Sequence, residues 1–293
     1  MPTPRLLSLR IAVGIAAISF GGILIRLAGD ASPIAIAAWR LALTAAVLLP
    51  IAAAKGTLRT LPRRDVLLSI GSGIALALHF VLWITSFRYT SVSSSVLFVS
   101  THPIFVGLGA HFVLRERVSR SLVFGIALAV LGGGLIGLGD LRLGGGAVHG
   151  DLLALAGGLA VAVYFLIGRH VRRTVSLLDY VAITYGTAAI LVLAAAVVTG
   201  APLLGFTPRT YLFLGLLALG PQLIGHSTFN WALKHLPAST VSILILGEPI
   251  GATLLAIPFF REVPTWPSAV GAVIILAGIY LSRRIKEDID ESR

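Results

Sequence analysis

Long apolar runs that contain no Asp, Glu, Lys or Arg dominate the chain. Each run approaches the roughly 20 residues that an α-helix needs to cross a bilayer. Three further runs meet this condition with one charged residue inside each, and these are 10–28, which starts at Arg10 and contains Arg26, 33–54 with Arg40 and 238–260 with Glu248. The pattern predicts an all-α membrane protein with ten transmembrane helices. The seven uncharged runs are 66–87, 89–114, 121–139, 152–168, 180–208, 210–233 and 263–282.

The composition supports this interpretation and excludes an ordinary soluble domain. The 293 residues are 57% hydrophobic and only 12% charged, with a mean hydropathy of +0.96. Soluble domains carry about 25% charged residues. The chain has no cysteine, so it offers neither a disulfide framework nor a thiolate metal site. No other sequence pattern indicates a cofactor or a metal ion.

The basic residues are distributed unevenly between the predicted loops. If the N-terminus is cytoplasmic, 17 Lys and Arg fall in cytoplasmic segments and five fall outside. Short loops rich in Lys and Arg stay cytoplasmic, so we predict an inner-membrane protein with both termini in the cytoplasm and an outside loop at 140–150. The net charge of +11 therefore indicates membrane orientation and contact with anionic lipid, rather than a nucleic-acid partner.

The two halves of the chain repeat each other at an offset of 146 residues. Each half holds five predicted helices, and because five is odd, the second copy enters the membrane from the opposite side. We predict two five-helix repeats of inverted topology, at 1–145 and 146–293. Such repeats are typical of transporters whose site lies near the middle of the membrane, between the halves. The matching pairs are Arg88 with Lys234, Ser93 with Ser239, Pro103 with Pro249, Arg115 with Arg261, Glu116 with Glu262, Gly125 with Gly271 and Gly132 with Gly278.

Short motifs carry a family resemblance. They are AWR at 38–40, YTS at 89–91 followed by Pro103 and Arg115-Glu116, and LPA at 236–238 followed by Glu248-Pro249 and Arg261-Glu262. In these motifs the chain resembles EamA-type members of the drug/metabolite transporter superfamily, which have ten helices in two five-helix repeats. It is also similar to the YddG-type aromatic amino-acid exporters. Earlier in each half the offset is 144 residues, so Thr184 stands in the second half where Arg40 stands in the first, and any role of Arg40 belongs to one half only.

Glu248 and Arg40 are charged residues well inside predicted membrane helices. An unpaired ionisable group in a bilayer costs at least a few kcal/mol, so such groups face the interior and find partners. A structural role and a place in a binding site are both open for each of them. At the repeat offset Glu248 aligns with His102, and each stands before a proline. A proline removes one helical hydrogen bond and leaves the carbonyl four residues earlier without its donor.

Polar residues recur at helical spacing on several predicted helices, as in the set Gln222, His226 and Asn230. A lipid-facing surface would contain none of these, so the stripes face inward. They either join helices by hydrogen bonds or line a pocket for an amphipathic solute. The predicted substrate-binding residues are His79, Trp83, Ser94, Phe98, His102, Tyr164, His226, Asn230 and Glu248.

We therefore expect an inner-membrane carrier of small organic solutes, with amino acids, including aromatic ones, as substrates. Trp83, Phe98 and Tyr164 would supply stacking surfaces, and Glu248 would attract an ammonium group. The family resemblance implies export, by alternating access at a cavity between the repeats. We expect the partners to be the solute and membrane lipid, and the chain to act as a monomer.

Three alternatives stay open at this point. The first is a carrier of drugs or other metabolites on the same scaffold. The second is a membrane-embedded enzyme, although the predicted spans show no His and Glu at metal spacing, no paired carboxylates and no Ser with an evident base. The third is a scaffold that transports nothing. Movement of solute by the purified protein separates the last two from a carrier.

Overall fold

The computed structural model describes residues 3–90, 92–116, 120–138, 146–260 and 266–283. Regular structure in these segments is helical. A 3-10 turn at Thr57–Thr60 and a π-helical segment at Ala218–His226 interrupt the α-helices. The α-helices are α1 (Pro4–Ser19), α2 (Gly21–Leu27), α3 (Pro33–Lys55), α4 (Arg63–Ser86), α5 (Val92–Val99), α6 (His102–Phe112), α7 (Arg120–Leu138), α8 (Gly146–Val171), α9 (Leu177–Val198), α10 (Pro208–Leu217), α11 (Ser227–His235), α12 (Ala238–Ile245), α13 (Gly247–Phe260) and α14 (Trp266–Arg283).

In the described part of the chain, seven helical stretches are long and apolar enough to cross a membrane. Shorter apolar helices occur at Val123–Gly132 in α7 and at Ala269–Gly278 in α14. The multi-pass membrane architecture is therefore confirmed, while the count of ten helices stays a prediction. The seven stretches are Pro4–Leu27, Pro33–Lys55, Arg63–Ser86, Val148–Val171, Leu177–Val198, Pro208–His235 and Ala238–Phe260.

Several helices begin where a short polar side chain caps the first turn. Thr3, Ser32 and Thr207 each accept a hydrogen bond from a backbone N–H three residues later, and a proline follows each of them at the start of its helix. This arrangement satisfies backbone donors that a helix start leaves open. The turn after α3 uses Gly56 at φ 70°, a left-handed conformation that glycine adopts without strain.

Breaks in two membrane stretches position residues of the site. The first lies between α5 and α6, where Ser100 and Thr101 precede the His102-Pro103 pair. The second lies at Leu246, between α12 and α13. A helix cannot continue its hydrogen bonding through proline. The backbone and side chains at both breaks therefore lie inside the bundle in orientations that a continuous helix would not give them.

Helices from the two halves of the sequence pack directly on each other. Helix α4 contacts α8 and α9, α7 contacts α14, and α1 contacts the π-helical segment and α13. Glycines allow the approach of α1: a Cβ on Gly225 would collide with Ile18, and one on Gly247 would lie 2.9 Å from Ile15 Cγ2. Small residues at such crossings let membrane helices pack backbone to backbone. The interior is therefore shared between the halves.

An ion pair joins the halves at one end of the bundle. Glu116, which follows α6, accepts hydrogen bonds from Arg169 Nε at 2.7 Å and from the backbone N–H of Ala238 at 3.2 Å. Arg169 also donates to the carbonyl of Leu233 at 2.7 Å. These contacts hold the ends of α6, α8 and α11 against the start of α12.

A polar cluster joins the halves again, at the end where α2 turns into α3. Asp30 accepts hydrogen bonds from the hydroxyl of Thr210 and from the backbone N–H of Thr207. The hydrogen bond from Thr210 lowers the pKa of Asp30 below its usual range, because it stabilises the ionised carboxylate. The helical stretch Pro208–His235 runs from Thr210, in this cluster, to Leu233, beside Arg169 and Glu116, so the two clusters lie at opposite ends of that stretch.

Candidate functional site

A small cavity lies in the interior, between helices of both halves. Its volume is about 40 Å³, enough for a few water molecules, since one water needs at least ~10–15 Å³ of such space. Helices α3 and α4 contribute to the wall, and so do both broken stretches and the π-helical segment. The polar and aromatic side chains of the wall are Arg40, His79, Trp83, Ser100, His102, Phe165, His226, Phe229 and Glu248.

Arg40 is almost fully buried, with 1% of its surface exposed. Its Nε donates to Gln222 Oε1 at 2.7 Å, and its guanidinium lies 4.0 Å from the centre of the Phe80 ring. Its Nη1 is buried without a hydrogen-bond partner among the described residues. The guanidinium is thus held in place from two sides, while one nitrogen is left available.

Glu248 lies in the wall near Trp83, with the small residue Gly21 beside both. A Cβ on Gly21 would be 3.9 Å from Glu248 Oε1 and 3.9 Å from Trp83 Cη2. Glu248 and Arg40 interact electrostatically. The ion pairs found within 4.0 Å in the described segments do not include this pair. The carboxylate therefore faces the cavity within the field of the guanidinium, without direct contact.

The three cavity histidines differ in how their rings are held. Nδ1 of His79 lies 3.0 Å from the carbonyl of Gly157, and Nδ1 of His102 lies 3.1 Å from the carbonyl of Val99. Because a carbonyl only accepts, these contacts place a proton on Nδ1 of both rings. The ring of His226 contacts Phe80 edge-on, and its Nδ1 is buried without a partner in the described segments.

Trp83 gives the cavity its aromatic surface. Its ring stacks on the ring of His79, with centres 5.7 Å apart and planes 11° from parallel. Gly157 lies against the backbone of this pair, since a Cβ there would approach Trp83 to 3.3 Å. The indole Nε1 is buried and has no hydrogen-bond partner among the described residues. An indole N–H that lacks a partner can serve a solute.

Five of the predicted site residues meet in the wall: His79, Trp83, His102, His226 and Glu248. The structure therefore brings together helices that lie far apart in the sequence. It places Phe98 on α5 next to the wall residue Val99, but outside the wall itself. The side chain of the predicted residue Ser94 lies outside the described residues.

Tyr164 and Asn230 form a layer behind the wall. The side-chain amide of Asn230 donates to the hydroxyl of Tyr164, and to that of Tyr185 at 3.0 Å. The rings of Tyr164 and His226 lie 6.4 Å apart. Tyr164 and Asn230 are fully buried. We therefore interpret this layer as a support that fixes the position of His226.

Arg40, in the cavity wall, and Gln222, its hydrogen-bond partner, are the main residues of the candidate site that were absent from the predicted substrate-binding residues. Arg40 carried a signal, as an isolated basic residue inside a membrane run, but the sequence does not show whether such a residue faces a cavity. Gln222 belongs to a polar stripe, and its hydrogen bond to Arg40 joins residues 182 positions apart. Periodicity identifies the face of a helix and not its partner on another helix.

The chemistry of the wall suits an amphipathic organic solute. One acidic and one basic side chain lie beside aromatic rings, with ring nitrogens as further polar contacts. Among the described residues, His, Asp and Glu form no group of three that could hold a metal ion. A solute with separate charged and apolar parts matches these groups.

The EamA-like transporter family model matches residues 7–138 and again residues 148–284. The chain belongs to the EamA-like transporter family. It is thus a multi-pass membrane transporter of a family whose substrates are small molecules. This membership is consistent with a protein that is not an enzyme.

Relatives agree with the family, and a solved structure agrees with the fold. The uncharacterized transporter YyaM of Bacillus subtilis strain 168 is 24% identical over 262 residues, covering 86% of this chain and 84% of that protein. A biotin transporter of Escherichia coli K12 is 24% identical over 255 residues, covering 84% and 82%. A solved crystal structure matches with a TM-score of 0.81 at 19% identity, covering 97% of this chain and 99% of the other. At that identity the structure supports the fold alone.

Proposed function

We propose that this transporter carries amino acids, aromatic ones included, across the inner membrane through the central cavity. One observation supports this most: the cavity wall holds an acidic residue, Glu248, and a basic residue, Arg40, together with the stacked rings of Trp83 and His79. An aromatic amino acid has an ammonium group, a carboxylate and a ring. Glu248 binds the ammonium, and Trp83 provides the surface for the ring. The similarity to YddG-type exporters supports outward transport of such solutes.

We further propose that the protein has ten transmembrane helices in inverted repeats at 1–145 and 146–293. The double match of the family model supports the two repeats, and the excess of cytoplasmic Lys and Arg supports cytoplasmic termini. A cysteine at Gly145, which lies outside the described residues, tests the orientation. A membrane-impermeant maleimide labels it from outside intact cells if the proposal is correct, and only after permeabilisation if the orientation is reversed.

The cavity supports a transport cycle with closed intermediates. Pockets that hold drug-sized ligands have volumes of about 300–1,000 Å³, whereas this one has about 40 Å³. The solute therefore enters only after part of the bundle moves. Contacts between the halves of the sequence occur around Glu116 and around Asp30, and we infer that these two clusters close the cavity on opposite sides. In alternating access, the contacts of one cluster would break while the contacts of the other cluster stay formed.

Reconstitution in proteoliposomes tests the proposed substrate class. Radiolabelled phenylalanine, tryptophan and alanine are offered on one side, with an unrelated sugar as control. We expect saturable uptake of the amino acids, faster for the aromatic pair, and no uptake of the sugar. Absence of amino-acid uptake by folded protein would refute the substrate class while leaving the family membership intact.

Biotin is a second candidate solute, because several relatives, from Escherichia coli and Salmonella, are named biotin transporters. Biotin carries a carboxylate, an apolar alkyl chain and a ring system with a polar ureido group, but no ammonium group. Glu248 would then have no cationic partner on the solute. Uptake of biotin that survives Glu248→Gln, together with no uptake of phenylalanine, would favour this candidate.

A further inference from the structure

Polar atoms without hydrogen-bond partners concentrate around the cavity. In the described segments, the buried side-chain atoms in this state include Arg40 Nη1, Trp83 Nε1, His102 Nε2 and His226 Nδ1, all from residues of the wall. Native proteins satisfy almost all buried polar atoms, so each exception calls for an explanation. A ligand that enters the cavity supplies partners to several of them at once.

Arg40 is the strongest of these groups and is already held in position. Its Nε is bound by Gln222, and the face of the guanidinium rests on Phe80. The planar guanidinium matches a carboxylate, often through two parallel hydrogen bonds. Because Arg40 is held before the solute arrives, binding a carboxylate costs little side-chain ordering.

We propose that Arg40 is the receptor for a carboxylate group of the solute, with the indole N–H of Trp83 as a second donor. The inference rests on the proposed function in one respect, namely that the solute enters this cavity. The resulting substrate class is broader than amino acids, because it includes carboxylates that have no ammonium group.

Charge balance in the cavity then determines whether a proton accompanies the solute. One Arg40 and one Glu248 together carry no net charge, and a zwitterionic amino acid adds none. A carboxylate without an ammonium group adds one negative charge, which is costly in a buried site. When that carboxylate binds Arg40, its negative charge offsets the positive potential that the guanidinium exerts at Glu248. A proton from the solvent then forms an O–H bond on the Glu248 carboxylate and restores neutrality.

Other titratable groups surround this pair, and of these only the histidines could take the proton instead, because a neutral tyrosine has only a proton to lose. The surrounding groups are His79 on α4, His102 on α6, His226 in the π-helical segment, Tyr164 on α8 and Tyr185 on α9. Glu248 is the preferred acceptor because it carries a negative charge that protonation removes. Protonation of a histidine would instead create a positive charge next to Arg40.

Three ligands of matched shape test the proposal by calorimetry on the purified full chain. They are phenylalanine, 3-phenylpropanoate without the ammonium, and phenethylamine without the carboxylate. In the wild type we expect phenethylamine to bind at least tenfold more weakly than phenylalanine. Titrations in two buffers of different ionisation enthalpy should show uptake of about one proton with 3-phenylpropanoate and none with phenylalanine.

Charge-removing variants should change ligand preference in opposite directions. Arg40→Gln leaves Glu248 alone, so the preference should move towards phenethylamine by tenfold or more. Glu248→Gln leaves Arg40 alone, so the preference should move towards 3-phenylpropanoate, and its proton uptake should disappear. Each result is a ratio of affinities in one protein, so partial loss of folded material does not affect it. Arg209→Gln is the control, because Arg209 is exposed and lies outside the cavity wall.

The outcomes separate this inference from the proposed function. If 3-phenylpropanoate binds through Arg40 and phenylalanine does not bind, the amino-acid proposal fails and the carboxylate receptor stands. If phenylalanine and phenethylamine bind equally, and Arg40→Gln binds both as the wild type does, the receptor is refuted and the amino-acid proposal stands. Biotin and its amide form a second pair. The receptor is refuted if the wild type binds the members of either pair, phenylalanine with phenethylamine or biotin with its amide, without preferring the member that carries the carboxylate.

Discussion

His102 and Glu248 stand at equivalent places before the prolines of two broken stretches, yet they contact their surroundings differently. Nδ1 of His102 lies 3.1 Å from the carbonyl of Val99, the carbonyl that Pro103 leaves without its helical donor. The ring therefore replaces the hydrogen bond that the proline removes. An ionised carboxylate only accepts hydrogen bonds, so Glu248 cannot do the same for Ile245.

The difference shows how two repeated halves of a chain can place different charges beside one cavity. Both halves use a proline to break a helix near the cavity. In the first half the side chain before the proline, His102, helps to stabilise that break. In the second half the side chain before the proline, Glu248, faces the cavity and Arg40. The counterpart of Arg40 in the second half, Thr184, donates a hydrogen bond to the carbonyl of Ser69. Charge is thus confined to one member of each pair.

Glu248→Gln gives the largest expected change in transport. The amide nearly keeps the volume of the carboxyl group but loses its charge, and hydrogen bonds to charged groups contribute about 1.5–3 kcal/mol. We expect phenylalanine transport in proteoliposomes to fall by about 10- to 100-fold, with the thermal midpoint close to that of the wild type. An unfolded or unextractable protein would instead assign Glu248 a structural role like that of His102.

His102 tests the other side of the comparison. His102→Ala removes the donor to Val99, and an unsatisfied buried carbonyl costs about 1–3 kcal/mol of unfolding free energy. We expect the thermal midpoint to fall by several degrees. His102→Asn is the matched control, because its amide N–H can take the place of Nδ1 and should restore most of the midpoint. If the Asn variant is as unstable as the Ala variant, the hydrogen bond to Val99 is not what His102 supplies.

Trp83→Ala gives a smaller expected change, and it tests whether the aromatic side of the cavity belongs to the site. A buried aromatic contact contributes on the order of 1 kcal/mol beyond its area, so affinity for phenylalanine should fall several-fold, and affinity for alanine less. Transport of both solutes and the thermal midpoint are measured together. Equal losses for the two solutes, with a stability loss of about 3–5 kcal/mol typical of a truncated core aromatic, would assign Trp83 to packing.

The sequence predicted the membrane helices well, because crossing a bilayer requires long apolar runs whatever the packing. It also singled out Glu248, His79, His102 and His226, which lie in the cavity wall, since polar residues in such runs are rare, while their part in binding stays a prediction. The depth of each residue could not be predicted: Tyr164 and Asn230 lie on inward-facing stripes, but the structure places them one layer behind the cavity wall. The π-helical segment around Pro221 was also missed, because a proline in a helix predicts a break more readily than a widened turn.

The glycines of this bundle also indicate how the protein could be stabilised for study in detergent. Replacing a glycine by alanine within a helix typically adds about 0.5–1 kcal/mol to stability, provided that the new methyl group has room. At Gly225 it does not, because Ile18 of α1 occupies that space. At Gly215 on α10, apart from its chain neighbours and the backbone of its own helix, no atom of the described residues lies within 4 Å of the position that the methyl group would take. Engineering for longer shelf life should therefore start at Gly215 and leave the surface under α1 unchanged.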